Sequence, residues 1–115
     1  MSVVNVKVQS IRPKYQNLKE WMEDENNIYI GRKGVVFIEG KRYPPKDSIF
    51  ANPFKIGKDG TREEVLKKYK NYISDNKELK EKVQTLKGKN LGCWCHPDSC
   101  HGDILLSILE NNLNN

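Results

Sequence analysis

All three cysteines, both histidines and one of the two tryptophans of this 115-residue chain fall within nine consecutive positions, Cys93-Trp94-Cys95-His96-Pro97-Asp98-Ser99-Cys100-His101. A short apolar run, Leu91 to Trp94, leads into the cluster, and Pro97-Asp98-Ser99 turns the chain. Beyond it Ile104, Leu105, Ile108 and Leu109 recur at helical spacing. That order predicts strand, loop and helix. The loop and first helical turn of such a unit carry unpaired N–H groups and the positive end of the helix dipole, which favour anions and thiolates.

The length predicts one domain, 1–115, with a modest core. Net charge is +5, yet the lysines alternate with acidic residues. That pattern fits a solvated basic surface or a nucleic-acid groove. No apolar run approaches the roughly 20 residues that span a bilayer, and the first residues lack the charged-then-apolar order of a signal peptide. An odd number of cysteines, two of them one residue apart, argues against a disulfide framework. The expectation is a soluble cytoplasmic protein with reduced thiols and no membrane partner.

Taken in order, Val3 to Val8 is rich in β-branched residues and predicts a strand, which Pro13 closes off. Leu18, Trp21 and Met22 predict a short helix within Tyr15 to Glu23. Asn27 to Arg32 predicts a second strand with Gly31-Arg32 at its carboxyl end. Between Gly34 and Tyr43, a turn at Glu39-Gly40 predicts a β-hairpin. Ile49 to Lys55 surrounds an Asn52-Pro53 turn whose amide can hold the loop or a ligand. Thr61 and Glu64 form a capping box, and Val65, Leu66, Tyr69, Tyr72 and Ile73 the buried stripe of the helix that follows. A further helix, roughly Asn76 to Leu86, ends at Gly88. The tail, Asn111 to Asn115, is expected to fray.

These elements predict an α/β sandwich with Leu91 to Trp94 in the interior of the sheet. Ligands of open α/β sheets bind beyond the carboxyl ends of the strands, where Gly31-Arg32 and Cys93-Trp94-Cys95 both fall. Three readings of the cluster remain open. It is a zinc site of Cys93, Cys95, Cys100 and either His101 or His96. It is a reactive thiol, Cys100, beside His101, with Asp103 orienting the imidazole or serving the helix start. Or it is a cradle in which backbone N–H groups, His101 and Arg32 hold a phosphate or nucleotide, the cysteines being packing residues.

Several stretches together resemble family 4326 of the domains of unknown function, small proteins of bacteria, phages and large viruses. They are Val3-Val4-Asn5-Val6, Tyr29-Ile30-Gly31-Arg32, Ala51-Asn52-Pro53-Phe54, Thr61-Arg62-Glu63-Glu64 with Tyr69, and Gly88-Lys89 through Cys93-Trp94-Cys95-His96-Pro97 and Cys100-His101-Gly102-Asp103. The ending is also similar to a second α/β family with Cys-His-Arg at a helix start, where Gly102 stands here in place of the arginine. The resemblance implies a Rossmann-like fold with a mostly parallel sheet in a three-layer sandwich, the hairpin as an insertion, and a shared pocket. The resulting expectation is a nucleotide or phosphorylated small molecule held by Gly31, Arg32, Asn52, Phe54, Cys93, Trp94 and Cys95. The alternatives are a thiol-dependent enzyme using Cys100, His101 and Asp103, or a zinc-stabilised nucleic-acid-binding module.

Overall fold

The computed structural model describes residues 2–94 and 100–113, with side chains through Glu110. Three parallel strands form one sheet: β1 (Ser2–Asn5), β2 (Asn27–Tyr29) and β5 (Asn90–Cys93), in the order β1-β5-β2. The last strand in sequence is thus the central one, with Val3 opposite Leu91 on one side and Ile28 opposite Leu91 on the other. Its predicted interior position follows from its apolar character, since a strand paired along both edges is also covered on both faces.

Alternation along the strands sorts side chains onto two cores. Val3, Ile30, Leu91 and Cys93 point to one face and pack with Tyr69, Ile73, Val83, Leu105 and Leu109. These come from α3 (Arg62–Ser74), α4 (Lys77–Val83) and α5 (His101–Leu113). Val6 and Tyr29 point the other way and pack with Ile11, Leu18 and Trp21, from α1 (Val8–Ile11) and α2 (Leu18–Glu23). Leu91 is fully buried in the first core, a burial that contributes about 1.5–3 kcal/mol. Gly92 faces the second, where a Cβ would overlap the Trp21 ring and lie 2.6 Å from Val6 Cγ1. Only a glycine lets the indole lie so close to the central strand.

The helix starts follow their sequence signals. Thr61 Oγ1 accepts from Glu64 N at 3.2 Å while Glu64 Oε1 accepts from Thr61 N at 3.1 Å, closing the capping box. Asn17 and Asn76 cap α2 and α4 with their side chains alone, accepting from Glu20 N and Leu79 N. A 3-10 turn, Gln84–Leu86, extends α4, and Gly88 at φ 81° ends it.

Two boundaries differ from the sequence expectation. The first strand ends at Asn5 rather than Val8, because Asn5 Oδ1 accepts from Lys7 N at 2.9 Å and turns the backbone into α1. The second ends at Tyr29 as a ladder partner, with Ile30 N still donating to Gly92 O at 3.0 Å. The hairpin, β3 (Val36–Ile38) and β4 (Lys41–Tyr43), forms a separate antiparallel pair. Its turn puts Glu39 at φ 53° and Gly40 at φ 79°, the left-handed pair that a tight hairpin requires. The expected turn at Pro97-Asp98-Ser99 and the expected fraying of the tail lie outside the described residues. Among the described residues no helix is long and apolar enough to cross a membrane.

Candidate functional site

Beyond the carboxyl ends of β2 and β5 the sheet opens into a cavity of about 530 Å³. Its first wall begins with Gly31 and Arg32. A Cβ on Gly31 would overlap the Tyr29 phenol, so glycine is what allows that ring to fold back over the strand end. The Tyr29 hydroxyl donates to Arg32 O at 2.8 Å and accepts from Trp94 Nε1 at 2.9 Å. Burial pushes the Tyr29 pKa up and keeps the phenol protonated for this donation. The indole of Trp94 is fixed at the cavity edge by the same bond.

Arg32 reaches across to the loop that follows the hairpin, where Nη2 donates to Asn52 O at 2.8 Å and to Phe54 O at 3.3 Å. Asn52 is spent on its own loop: its Oδ1 accepts from Phe54 N at 2.9 Å, an Asx turn. The amide oxygen thus shapes the loop, one of the two roles anticipated for this side chain, and Asn52 also lines the cavity. Phe54 stands edge-on to Tyr72, with ring centroids 6.2 Å apart. Arg32 has no further partner among the described residues, which leaves Nε and Nη1 to the cavity and solvent.

The second wall is built by the end of β5 and the start of α5. Cys93 and Cys100 are buried with their sulfurs 3.1 Å apart. The interaction with Cys93 and burial push the Cys100 pKa strongly up, against a smaller opposing effect of the Gly102 and Asp103 N–H groups. Asp103 Oδ2 accepts from Cys100 N at 3.0 Å. Of its two anticipated roles, Asp103 fills that of serving the helix start. His101 Nε2 lies 2.6 Å from Ile30 O; a carbonyl can only accept, so the proton sits on Nε2. Burial, then the nearby Arg32 charge, hold its pKa below the usual value and the ring neutral. Tyr69 packs edge-on to this imidazole, centroids 5.2 Å apart, while its hydroxyl donates to Phe50 O.

The cavity thus brings together Gly31, Arg32, Asn52, Phe54, Cys93, Trp94, Cys100 and His101, while Asp103 does not line it. Cys95 and His96, on which the zinc reading also draws, lie outside the described residues. Among the described residues no three metal-ligating side chains gather. Gly102, in place of the second family's arginine, has a packing reason: a Cβ there would lie 2.9 Å from Val3 Cγ2. Sequence reasoning missed Lys55 and Arg62, which line the cavity with Val35, Ile56, Val65 and Leu66. A signal was present, since Arg62 sits three and four residues before Val65 and Leu66 and so on the same face of α3.

Fold and site define a small α/β protein with a cationic cavity at the carboxyl end of a parallel sheet. The chain belongs to the family described as a domain of unknown function (DUF4326), whose model matches residues 14–111. It is 36% identical over 92 residues to "Uncharacterized protein R718" of Acanthamoeba polyphaga mimivirus, across 73% of this chain and 67% of that one. It is 37% identical over 60 residues to the "Uncharacterized 12.4 kDa protein in nrdA-td intergenic region" of Enterobacteria phage T4. That match covers 48% of this chain and 56% of the phage protein, so the chain spans little more than half of this relative. No solved structure matches the chain.

Proposed function

We propose that this chain is a Rossmann-like three-layer domain that binds a nucleotide or nucleotide-derived small molecule in the cavity beyond β2 and β5. The observation that carries the reading is the lining. Arg32, Lys55 and Arg62 bring three cations to it, and no Asp or Glu is among its described lining residues. In the same lining Phe54, Trp94, Val35 and Ile56 offer an apolar and aromatic surface. An anionic group beside a flat apolar one is the chemistry that such a lining selects. The volume falls within the roughly 300–1,000 Å³ of small-molecule sites. Sheets covered by helices on both faces bind their ligands at this end.

The thiol-dependent alternative needs Cys100 ionised near neutral pH, and Cys93 and burial both push it the other way. Melting the protein with a panel of nucleosides, nucleoside phosphates and dinucleotides tests the proposal. A ligand at about 100 times its Kd adds about 2.7 kcal/mol of stability, several degrees in Tm. Phosphorylated members should raise Tm and free nucleosides should not. Arg32→Gln and Lys55→Ala should each reduce the rise. No rise across the panel, or an equal rise in both variants, would overturn the assignment.

A further inference from the structure

The β3–β4 hairpin is held by one face and leaves the other bare. Val36, Ile38 and Tyr43 pack against the core that contains Trp21 and Tyr29. Phe37, between them, points outward with 66% of its surface exposed, and Val35 is 42% exposed on the same side. Arg42 pairs with Phe37 across the ladder. Its guanidinium carbon lies 4.8 Å from the ring centroid, and Nη1 donates to Gly34 O at 3.1 Å. The guanidinium is therefore held against the phenyl ring instead of roaming in solvent. Lys33 and Lys46, which flank the hairpin in the sequence, and Lys41 on β4 are exposed. The nearby carboxylates are Glu39 and Asp47, and Asp47 is engaged by Lys33 N at 2.8 Å.

We infer that this hairpin face is a docking surface for single-stranded nucleic acid. An exposed ring with a cation fixed on it takes an unstacked base, and the surrounding lysines take the backbone phosphates. A duplex keeps its bases stacked and has nothing to offer Phe37. The face is also continuous with the cavity, because Val35 belongs to both. A strand whose base sits on Phe37 has its neighbouring nucleotides over Val35 and the cavity mouth, beside Lys55 and the 53% exposed Ile56. That continuity rests on the nucleotide reading of the cavity; the hairpin's own chemistry does not.

The test is fluorescence anisotropy of the full chain with labelled oligothymidylate and oligouridylate of about a dozen nucleotides, long enough to cover one such groove. Binding is expected, weakened about tenfold by Phe37→Ala and kept by Phe37→Trp. Lys33→Ala should lower the slope of log K against log salt by about 0.7. Phe37 is mostly exposed, so Phe37→Ala should melt like wild type. Absence of oligonucleotide binding at low salt, or equal affinity in Phe37→Ala, overturns the inference. So does Phe37-dependent binding to phosphatidylglycerol vesicles without oligonucleotide binding. Phe37-dependent oligonucleotide binding without any mononucleotide-induced rise in Tm upholds the hairpin surface and removes the cavity reading. A mononucleotide rise without oligonucleotide binding does the reverse.

Discussion

The two walls of the cavity differ in what their polar groups are already doing. On the sulfur wall the polar groups engage one another or the backbone: Cys93 with Cys100, Asp103 with Cys100 N, and His101 through Nε2 with Ile30 O. On the cation wall Arg32 uses Nη2 to brace the Asn52–Phe54 loop and keeps its other donors, while Lys55 and Arg62 add charge without a carboxylate at the lining. The contrast teaches that residue type does not identify the working surface. A thiol or imidazole whose bonds are internally closed contributes rigidity. A guanidinium with donors left over contributes recognition.

The largest effect that can break this comparison is expected at Arg32. Hydrogen bonds to charged groups are worth about 1.5–3 kcal/mol each, so Arg32→Gln should weaken nucleotide binding roughly 10- to 150-fold by calorimetry. Some stability should go with it, since the Asn52 and Phe54 carbonyls lose their donor. An unchanged affinity would move recognition off the cation wall. The next effect is expected on the opposite wall. Cys100→Ala removes a buried sulfur and should cost about 1–2 kcal/mol in chemical denaturation, with nucleotide affinity within about twofold of wild type. In a Cys95→Ser background, Cys93 and Cys100 should react slowly with an alkylating reagent at neutral pH and quickly once the chain is unfolded. Rapid native-state alkylation of Cys100 would reverse the roles of the two walls.

This division also explains what the sequence disclosed and what it withheld. The central strand was legible because Leu91 to Trp94 is apolar without alternation, and the cap at Thr61 because its partner is three residues away. Arg32 and Cys93 were legible as strand-end residues, and both line the cavity. The state of the thiol was not legible. Locally Cys100 stands at a helix start beside a histidine, the setting of an activated sulfur. Its burial and the Cys93 sulfur 3.1 Å away depend on tertiary packing. Lys55 and Arg62 were hidden for the same reason, since nothing local says that their separate loop and helix close over one hollow. At Val8 the opposite error arises: β-branched propensity over the first eight residues is overridden by one short bond from Asn5.

The smallest expected signal is a pH dependence carried by His101, and it sharpens the claim that the sulfur wall is internally closed. The folded protein holds this imidazole neutral, with its pKa below the ordinary value of 6.5, first by burial and then by the Arg32 charge. The unfolded chain therefore binds the proton more readily than the native one. Stability from this group is fully present above pH 6.5, declines as the pH falls below it, and levels off once the folded imidazole is itself protonated. Comparing urea midpoints of wild type and His101→Gln across that interval isolates the contribution, because every other titrating group is common to both. The wild-type curve should fall more steeply with acid. Parallel curves would mean that His101 titrates as freely in the folded protein as in the unfolded one, and that burial and the Arg32 charge do not hold the imidazole neutral.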